Sequence, residues 1–172
     1  MEKYLPDIYT KSIYTVPYDK LKQEGIKCLL FDLDNTIAPY HEQKVEEKTK
    51  NLIEELKQDF IVIIFSNSPK KRIQNFKDTL QIDCLANAKK PFKISFLKIF
   101  NEFKLNENEV AIIGDQLYTD ILGGNKVGIM TVLVNPISKK YPFWTKIGRL
   151  NEKRIVNGLK KRDLFFEGRY YE

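Results

Sequence analysis

Five short, apolar runs rich in β-branched residues punctuate the chain: Cys28 to Leu33, Phe60 to Phe65, Cys84 to Ala86, Val110 to Ile113 and Met130 to Val134. None alternates with polar residues, which predicts strands buried on both faces, as in a parallel sheet covered by helices. The segments between them repeat their apolar residues at helical spacing. Val45, Leu52, Ile53 and Leu56 mark one apolar face, and Ile73, Phe76 and Leu80 mark a second. The second helix is expected to begin at Ser68-Pro69, with Ser68 as N-cap and Pro69 at the first helical position. Phe92, Phe96, Ile99, Phe100 and Phe103 mark a third face, opened by Pro91, and a shorter helix from about Tyr118 is expected to end at Gly123-Gly124. The alternation predicts an α/β fold: a three-layer, doubly wound (Rossmann-like) parallel sheet of about five strands. With no internal repeat, low-complexity segment or linker, residues 1–172 read as a single domain. Its core spans about 25–135, between an N-terminal flank, 1–24, and a C-terminal segment, 138–172.

Composition adds two constraints. A hydrophobic content of 42% and a charged content of 30% are ordinary for a globular chain able to bury a core. No apolar run approaches the length of a membrane-spanning helix. The N-terminal residues 1–6 lack the apolar stretch of a signal peptide, so a cytoplasmic location is expected. Cys28 and Cys84 sit in apolar runs, away from ligand-spaced partners, and read as buried thiols. The net charge of +6 is uneven: residues 1–137 carry 19 basic and 19 acidic side chains, and residues 138–172 carry 10 and 4. The whole excess lies in a C-terminal segment expected to be helical.

Candidate chemistry starts where the first strand ends, in Asp32-Leu33-Asp34-Asn35-Thr36. Two carboxylates this close repel each other, and a divalent cation is the ordinary remedy. In an open parallel sheet, ligands bind beyond the carboxyl ends of the strands. Ser66 and Asn67 follow the second run, Lys89-Lys90-Pro91 comes shortly after the third, and Gly114-Asp115 follows the fourth, with Asp120 five residues beyond Asp115. Each residue type has a use in phosphate chemistry. Asp32 can attack phosphorus as a nucleophile, and Asp34 can protonate the leaving oxygen and then activate water. Ser66 and nearby N–H groups can bind phosphoryl oxygens. A lysine can neutralise the reacting groups. Asp115, supported by Asp120, can complete an oxygen-ligand Mg²⁺ site to which Asp34 adds its backbone carbonyl.

These four motifs, in this order, resemble the haloacid dehalogenase (HAD) superfamily in its phosphatase branch. The resemblance implies a Mg²⁺-dependent phosphatase with Asp32 as nucleophile, Asp34 as acid/base, and Asp32, Asp34 and Asp115 at the metal. Thr36, Ser66 and Asn67 would serve the phosphate. It favours Lys90 over Lys89, because the family's lysine commonly precedes proline. About 25 residues separate Thr36 from the second strand and about 20 separate Asn67 from Lys89, each gap filled by one helix, so no cap domain fits. That is similar to the capless class, subfamily IIIA, whose open sites suit substrates that bring their own bulk. The Cys and His ligands of the zinc-bearing sugar-phosphate branch are missing.

The flanks narrow the likeness. Tyr4 to Tyr9 and Ile13 to Tyr18 precede the sheet, and Tyr141-Pro142-Phe143-Trp144 and a basic stretch follow it. With the Asp-Asn-Thr and Gly-Asp-Gln motif variants, they look similar to phosphatases related to phosphatidylglycerophosphate phosphatase. The implied substrate is a phospholipid phosphate. Residues 139–162 could lie on an anionic membrane at its inner face, each basic residue contributing roughly 1 kcal/mol, with the aromatics at head-group level. Equally, Ile147, Leu150, Ile155, Val156 and Leu159 could pack a terminal helix on the domain. No recognised motif supports a nucleic-acid partner. His41 reads as a surface loop residue. Rival functions are a phosphatase for nucleotides, sugar phosphates or polynucleotide ends, and a non-catalytic docking module on the same fold.

Overall fold

The computed structural model describes residues 2–141, 143–161 and 165, the side chains of 143–149 excepted. Among the described residues, six strands form one wholly parallel sheet: β1 (Ile8–Thr10), β2 (Cys28–Phe31), β3 (Ile61–Phe65), β4 (Asp83–Leu85), β5 (Val110–Gly114) and β6 (Met130–Val134). Their order is β1-β6-β5-β2-β3-β4, so β2 lies between β3 and β5. Helices α1 (Tyr18–Gln23), α2 (Glu47–Leu56), α3 (Lys70–Leu80), α4 (Ile94–Phe103), α5 (Leu122–Val127) and α6 (Phe143–Lys160) connect or follow the strands. Residues 32–60 hold α2 alone and residues 66–82 hold α3 alone, so no cap is inserted at either place.

The unalternating strands are unalternating because both faces are covered. Leu29, Phe31, Ile64 and Ile113 point to one side, where they meet Ile53 of α2 and Ile73, Phe76 and Leu80 of α3. Their neighbours Leu30, Ile63, Phe65 and Ile112 point to the other, against Phe96 and Ile99 of α4. A fully buried side chain of this size contributes about 1.5–3 kcal/mol. Cys28 is buried and Cys84 partly so, and both are free thiols. Burial pushes Cys28 up to about 12 and Cys84 up to about 11, which makes both poor thiolates.

The sheet has a sixth strand where about five were expected. β1 is three residues long, contains no apolar run, and pairs in register with β6, Ile8 opposite Val132. Asp7 locks that pairing: its carboxylate accepts from the Thr131 backbone N–H at 2.7 Å and from the Thr131 hydroxyl at 2.9 Å. A partner so distant in sequence leaves no local signature.

Three local expectations also shift. Ser68 makes no cap bond, Pro69 takes the N-cap position, and α3 starts at Lys70. Phe92 lies before α4 and is exposed rather than part of its buried face. Gly123 and Gly124 lie inside α5, which follows one π-helical turn (Leu117–Ile121) and ends at Gly128, φ +78°. A Cβ on Gly124 would stand 2.5 Å from Thr131 Cγ2 and 2.8 Å from Ile112 Cγ2. The glycine there lets the helix lie against the sheet. On α6, Leu159 is buried and Ile155 and Val156 partly so, packed near Leu117, Ile121 and Leu133, whereas Leu150 is exposed. The side chains of Phe143, Trp144, Lys146, Ile147 and Arg149, and Arg162, lie outside the described residues. No described helix is long and apolar enough to cross a membrane.

Candidate active site

Parallel strands bring their carboxyl ends to one edge of the sheet, so the residues that follow β2, β3, β4 and β5 meet there. Asp32 follows β2 directly, with its N–H donated to the Ile113 carbonyl at 2.9 Å. Lys90 reaches it from the turn after β4: Nζ donates to Asp32 Oδ1 at 2.8 Å and to Asp120 Oδ1 at 2.6 Å. The Lys90 side chain is 1% exposed, whereas Lys89 is exposed and takes φ +53°. Asp120 Oδ2 accepts from the Gln116 N–H at 3.1 Å. Gly114 makes room for that carboxylate, since a Cβ there would fall 2.1 Å from Asp120 Oδ2.

Asp115 completes an acidic group. One carboxylate oxygen each from Asp32, Asp115 and Asp120 lies within 4.8 Å of the others, and all three residues are buried. An all-oxygen set of this kind fits a hard cation such as Mg²⁺. Thr36 Oγ1 points to Asp115 Oδ1, at 3.4 Å.

The electrostatics follow the geometry. Burial alone would lower the Lys90 ammonium, but Asp120 and then Asp32 outweigh it and hold Lys90 protonated well above the usual lysine range. Burial pushes Asp120 up, Lys90 opposes that, and the Asp32 charge adds to the upward push. The two tendencies conflict across one 2.6 Å contact. The ammonium decides it: a lysine held protonated at that distance is matched by an ionised Asp120.

Asp34 has a separate setting. Its Oδ1 accepts from Arg72 Nε at 3.1 Å and Nη2 at 3.0 Å, and its Oδ2 accepts from the Ser68 hydroxyl. Burial pushes its carboxyl up, the Ser68 bond pulls it down, the Asp32 charge pushes it up and Arg72 pulls it down; burial prevails. Arg72 Nη2 also donates to the Pro39 carbonyl at 3.2 Å, and Nη1 to that of Glu42, which pins the loop after Asp34. Neither the Ser68 bond nor Arg72 was foreseen from sequence. A signal for Arg72 was there: Lys70-Lys71-Arg72 fills the first turn of α3, where the helix dipole disfavours cations. Basic residues placed so imply an anion close by.

Ser66 is buried, and its Oγ accepts from the Ser68 N–H at 3.2 Å. Asn67 bonds to the turn that carries the lysine: its Nδ2 donates to the Lys90 carbonyl at 3.1 Å, and the Lys90 N–H donates to its Oδ1 at 2.7 Å. Asn35, at φ +64°, donates from Nδ2 to the Lys140 carbonyl at 3.0 Å. Buried Glu152 of α6 accepts from the Tyr118 N–H at 3.1 Å, another contact that sequence reasoning missed. His41 is exposed, 3.7 Å from Glu42.

Asp32, Asp34, Ser66 and Lys90 open into a cavity of about 470 Å³, rimmed by Tyr40, Tyr118 and Tyr141. A larger recess of about 600 Å³ lies beside α6 and touches only Asp115 of the acidic group. Asp32, Asp34, Ser66 and Lys90 line the smaller one and not the larger.

Fold and site together define a phosphatase core of the HAD superfamily. Solved structures show the fold: a putative HAD subfamily III A hydrolase from Legionella pneumophila superposes with a TM-score of 0.53 at 18% identity, over 71% of this chain and 73% of that one. A HAD phosphatase from Thermococcus onnurineus gives 0.55 at 16% identity, over 69% and 90%. The chain belongs to the mitochondrial PGP phosphatase family, whose model matches residues 1–138. It is 34% identical over 160 residues to the probable phosphatase YqeG of Bacillus subtilis, covering 92% of this chain and 93% of that protein. It is 27% identical over 169 residues to the chloroplastic/mitochondrial phosphatidylglycerophosphate phosphatase 1 of Arabidopsis thaliana, over 91% of this chain. This chain spans about half of that longer protein, 49% of its length.

Proposed function

We propose that the chain is a Mg²⁺-dependent phosphomonoesterase of the capless subfamily IIIA type, working through an aspartyl-phosphate, and that its substrate is a phospholipid phosphate such as phosphatidylglycerophosphate. The observation that carries the reaction is the buried Asp32 carboxylate, paired with Lys90 and opening into the cavity. An Asp32 oxygen attacks phosphorus and the bond to the ester oxygen breaks. Asp34 delivers a proton to that leaving oxygen. Water then attacks the aspartyl-phosphate, Asp34 takes its proton, and phosphate leaves with Asp32 restored. Lys90 neutralises charge on the nucleophile and on the transferring group. Asp120 and the backbone bonds from Asn67 hold Lys90 in place. Ser66 lines the cavity beside Asp32 and would meet the phosphoryl oxygens, while Thr36, buried behind it, points to Asp115. The side chains of Asp32 and Asp115 and the Asp34 carbonyl would hold Mg²⁺, which supplies charge neutralisation to the phosphoryl oxygens.

The lipid reading rests on the family match, on the activity for which the plant relative is named, and on a mouth without a cap. Work at the inner face of a membrane follows from it. Purified protein is expected to release phosphate from an aryl phosphate only with Mg²⁺, and Asp32→Asn is expected to abolish release. Full activity of Asp32→Asn would overturn the mechanism. A panel of phosphatidylglycerophosphate, nucleotides, sugar phosphates and polynucleotide ends is expected to favour the lipid. Preference for any of the others would replace it.

A further inference from the structure

The turn that carries Lys90 has two sides. Lys90 and Pro91 face inward and are buried, while Lys89, Phe92, Lys93 and Ile94 are exposed. Phe92 is 65% exposed and Ile94 70%, and Leu97, on the next turn of α4, is 48% exposed. Single exposed apolar residues are common on globular proteins, but a bulky cluster within six positions is not. The stretch that carries it has charge of one sign: no Asp or Glu occurs between Asp83 and Glu102. This turn follows β4, so it stands at the same edge of the sheet as the active site. Ile137, 48% exposed, stands at that edge too, its N–H bonded to the Asn35 carbonyl at 2.9 Å.

We infer that this face, rather than the basic C-terminal segment, seats the protein on an anionic lipid bilayer, with Phe92, Ile94 and Leu97 entering the head-group boundary and Lys89 and Lys93 meeting lipid phosphates. The inference rests on the lipid-phosphate reading above. Apolar side chains flanked by lysines are the pairing that an interfacial surface requires. Aliphatic Ile94 and Leu97 suit acyl chains better than nucleobases. Of the described apolar side chains of α6, Ile155, Val156 and Leu159 are packed on the domain and Leu150 alone is exposed. The geometry also has a use: Lys90 Nζ lies 2.8 Å from Asp32, so the turn that touches the membrane is the turn that lines the nucleophile. A phosphate presented by the bilayer meets the site without leaving the surface.

The test uses the full chain and the pair Phe92→Ser/Ile94→Ser, with Phe92→Leu/Ile94→Leu as the apolar control and Lys89→Glu/Lys93→Glu as a second, independent pair. Flotation with vesicles of phosphatidylglycerol and phosphatidylcholine is read beside hydrolysis of an aryl phosphate in solution. The wild type is expected to float with anionic vesicles and not with pure phosphatidylcholine. The serine pair is expected to lose partitioning by about tenfold or more while keeping aryl phosphate hydrolysis, and the leucine pair to keep both. The charge-reversed pair should likewise stop floating. Serine and charge-reversed pairs that float like the wild type would overturn the inference, as would a self-association of the wild type that the serine pair abolishes. Turnover of phosphatidylglycerophosphate in detergent micelles separates the two readings. Its absence sinks the lipid substrate, and its presence with unchanged flotation of the variants sinks only this surface.

Discussion

Replacing Lys90 by Met keeps the length of the aliphatic stem and removes the ammonium. What remains is a pair of buried carboxylates, Asp32 at 4% exposure and Asp120 at 0%, whose shared cation is gone. Removing one partner of a buried ion pair costs about 3–5 kcal/mol, because the other charge stays desolvated. Against a total stability of about 5–15 kcal/mol, that is a large share. Urea denaturation at neutral pH, with chelator present so that no divalent cation substitutes for the ammonium, is the assay. The sign of the pH dependence is set. The folded pKa of Lys90 is raised, so its contribution is full below the usual lysine range and declines only as pH rises through the raised value. On the acid side the deficit of the variant should narrow, since it can relieve unpaired carboxylates by taking up protons. Adding Asp120→Asn to Lys90→Met should cost less than the sum of the single changes, with a coupling of about 0.5–3 kcal/mol. Additive effects, or a Lys90→Met deficit below about 1 kcal/mol, would refute the view that this pair is a coupled, buried unit.

Two further outcomes follow from contacts of the same site. Arg72→Ala removes both guanidinium bonds to Asp34 and those to the Pro39 and Glu42 carbonyls. It should lower stability by about 1.5–3 kcal/mol in urea titration, and Arg72→Lys should recover only part, lacking the planar fork. Gly114→Ala places a methyl group 2.1 Å from Asp120 Oδ2. Circular dichroism should show the fold retained at a cost of about 1–3 kcal/mol, while phosphate release falls because Asp120 can no longer hold Lys90.

The sheet was legible wherever a strand is buried on both faces. β2, β3, β5 and β6 announce themselves as apolar runs because their side chains, the first of β3 and of β6 apart, are buried under a covering layer. β1 does not, since an edge strand of three residues owes its pairing to Thr131 rather than to its own composition. Glycines mislead for a related reason: Gly123 and Gly124 look like a helix stop but answer to the side chains of Ile112, Thr131 and Phe96 across the interface. At the site, residue types in strand-end order marked Asp32, Lys90, Asp115 and Asp120, because the fold brings strand ends together whatever lies between. Contacts between loops were invisible. Ser68, read as a helix cap, spends its hydroxyl on a carboxylate 34 positions earlier. Asn67, which lines the cavity, also ties its amide to the Lys90 backbone, a contact that its place after the second strand did not announce.

The β1–β6 pairing bears on how the chain assembles as it is made. Residues 8–10 leave the ribosome long before residues 132–134, their register partners, exist. Because loop closure must precede the contacts that reward it, such a pairing comes late. Residues 8–10 therefore wait unpaired while β2 to β5 can already associate, and the strand of this sheet that is made first is the last to be seated. Until then β6 has an open flank, and the period between its emergence and the arrival of β1 is when this chain is most exposed to pairing with a neighbour.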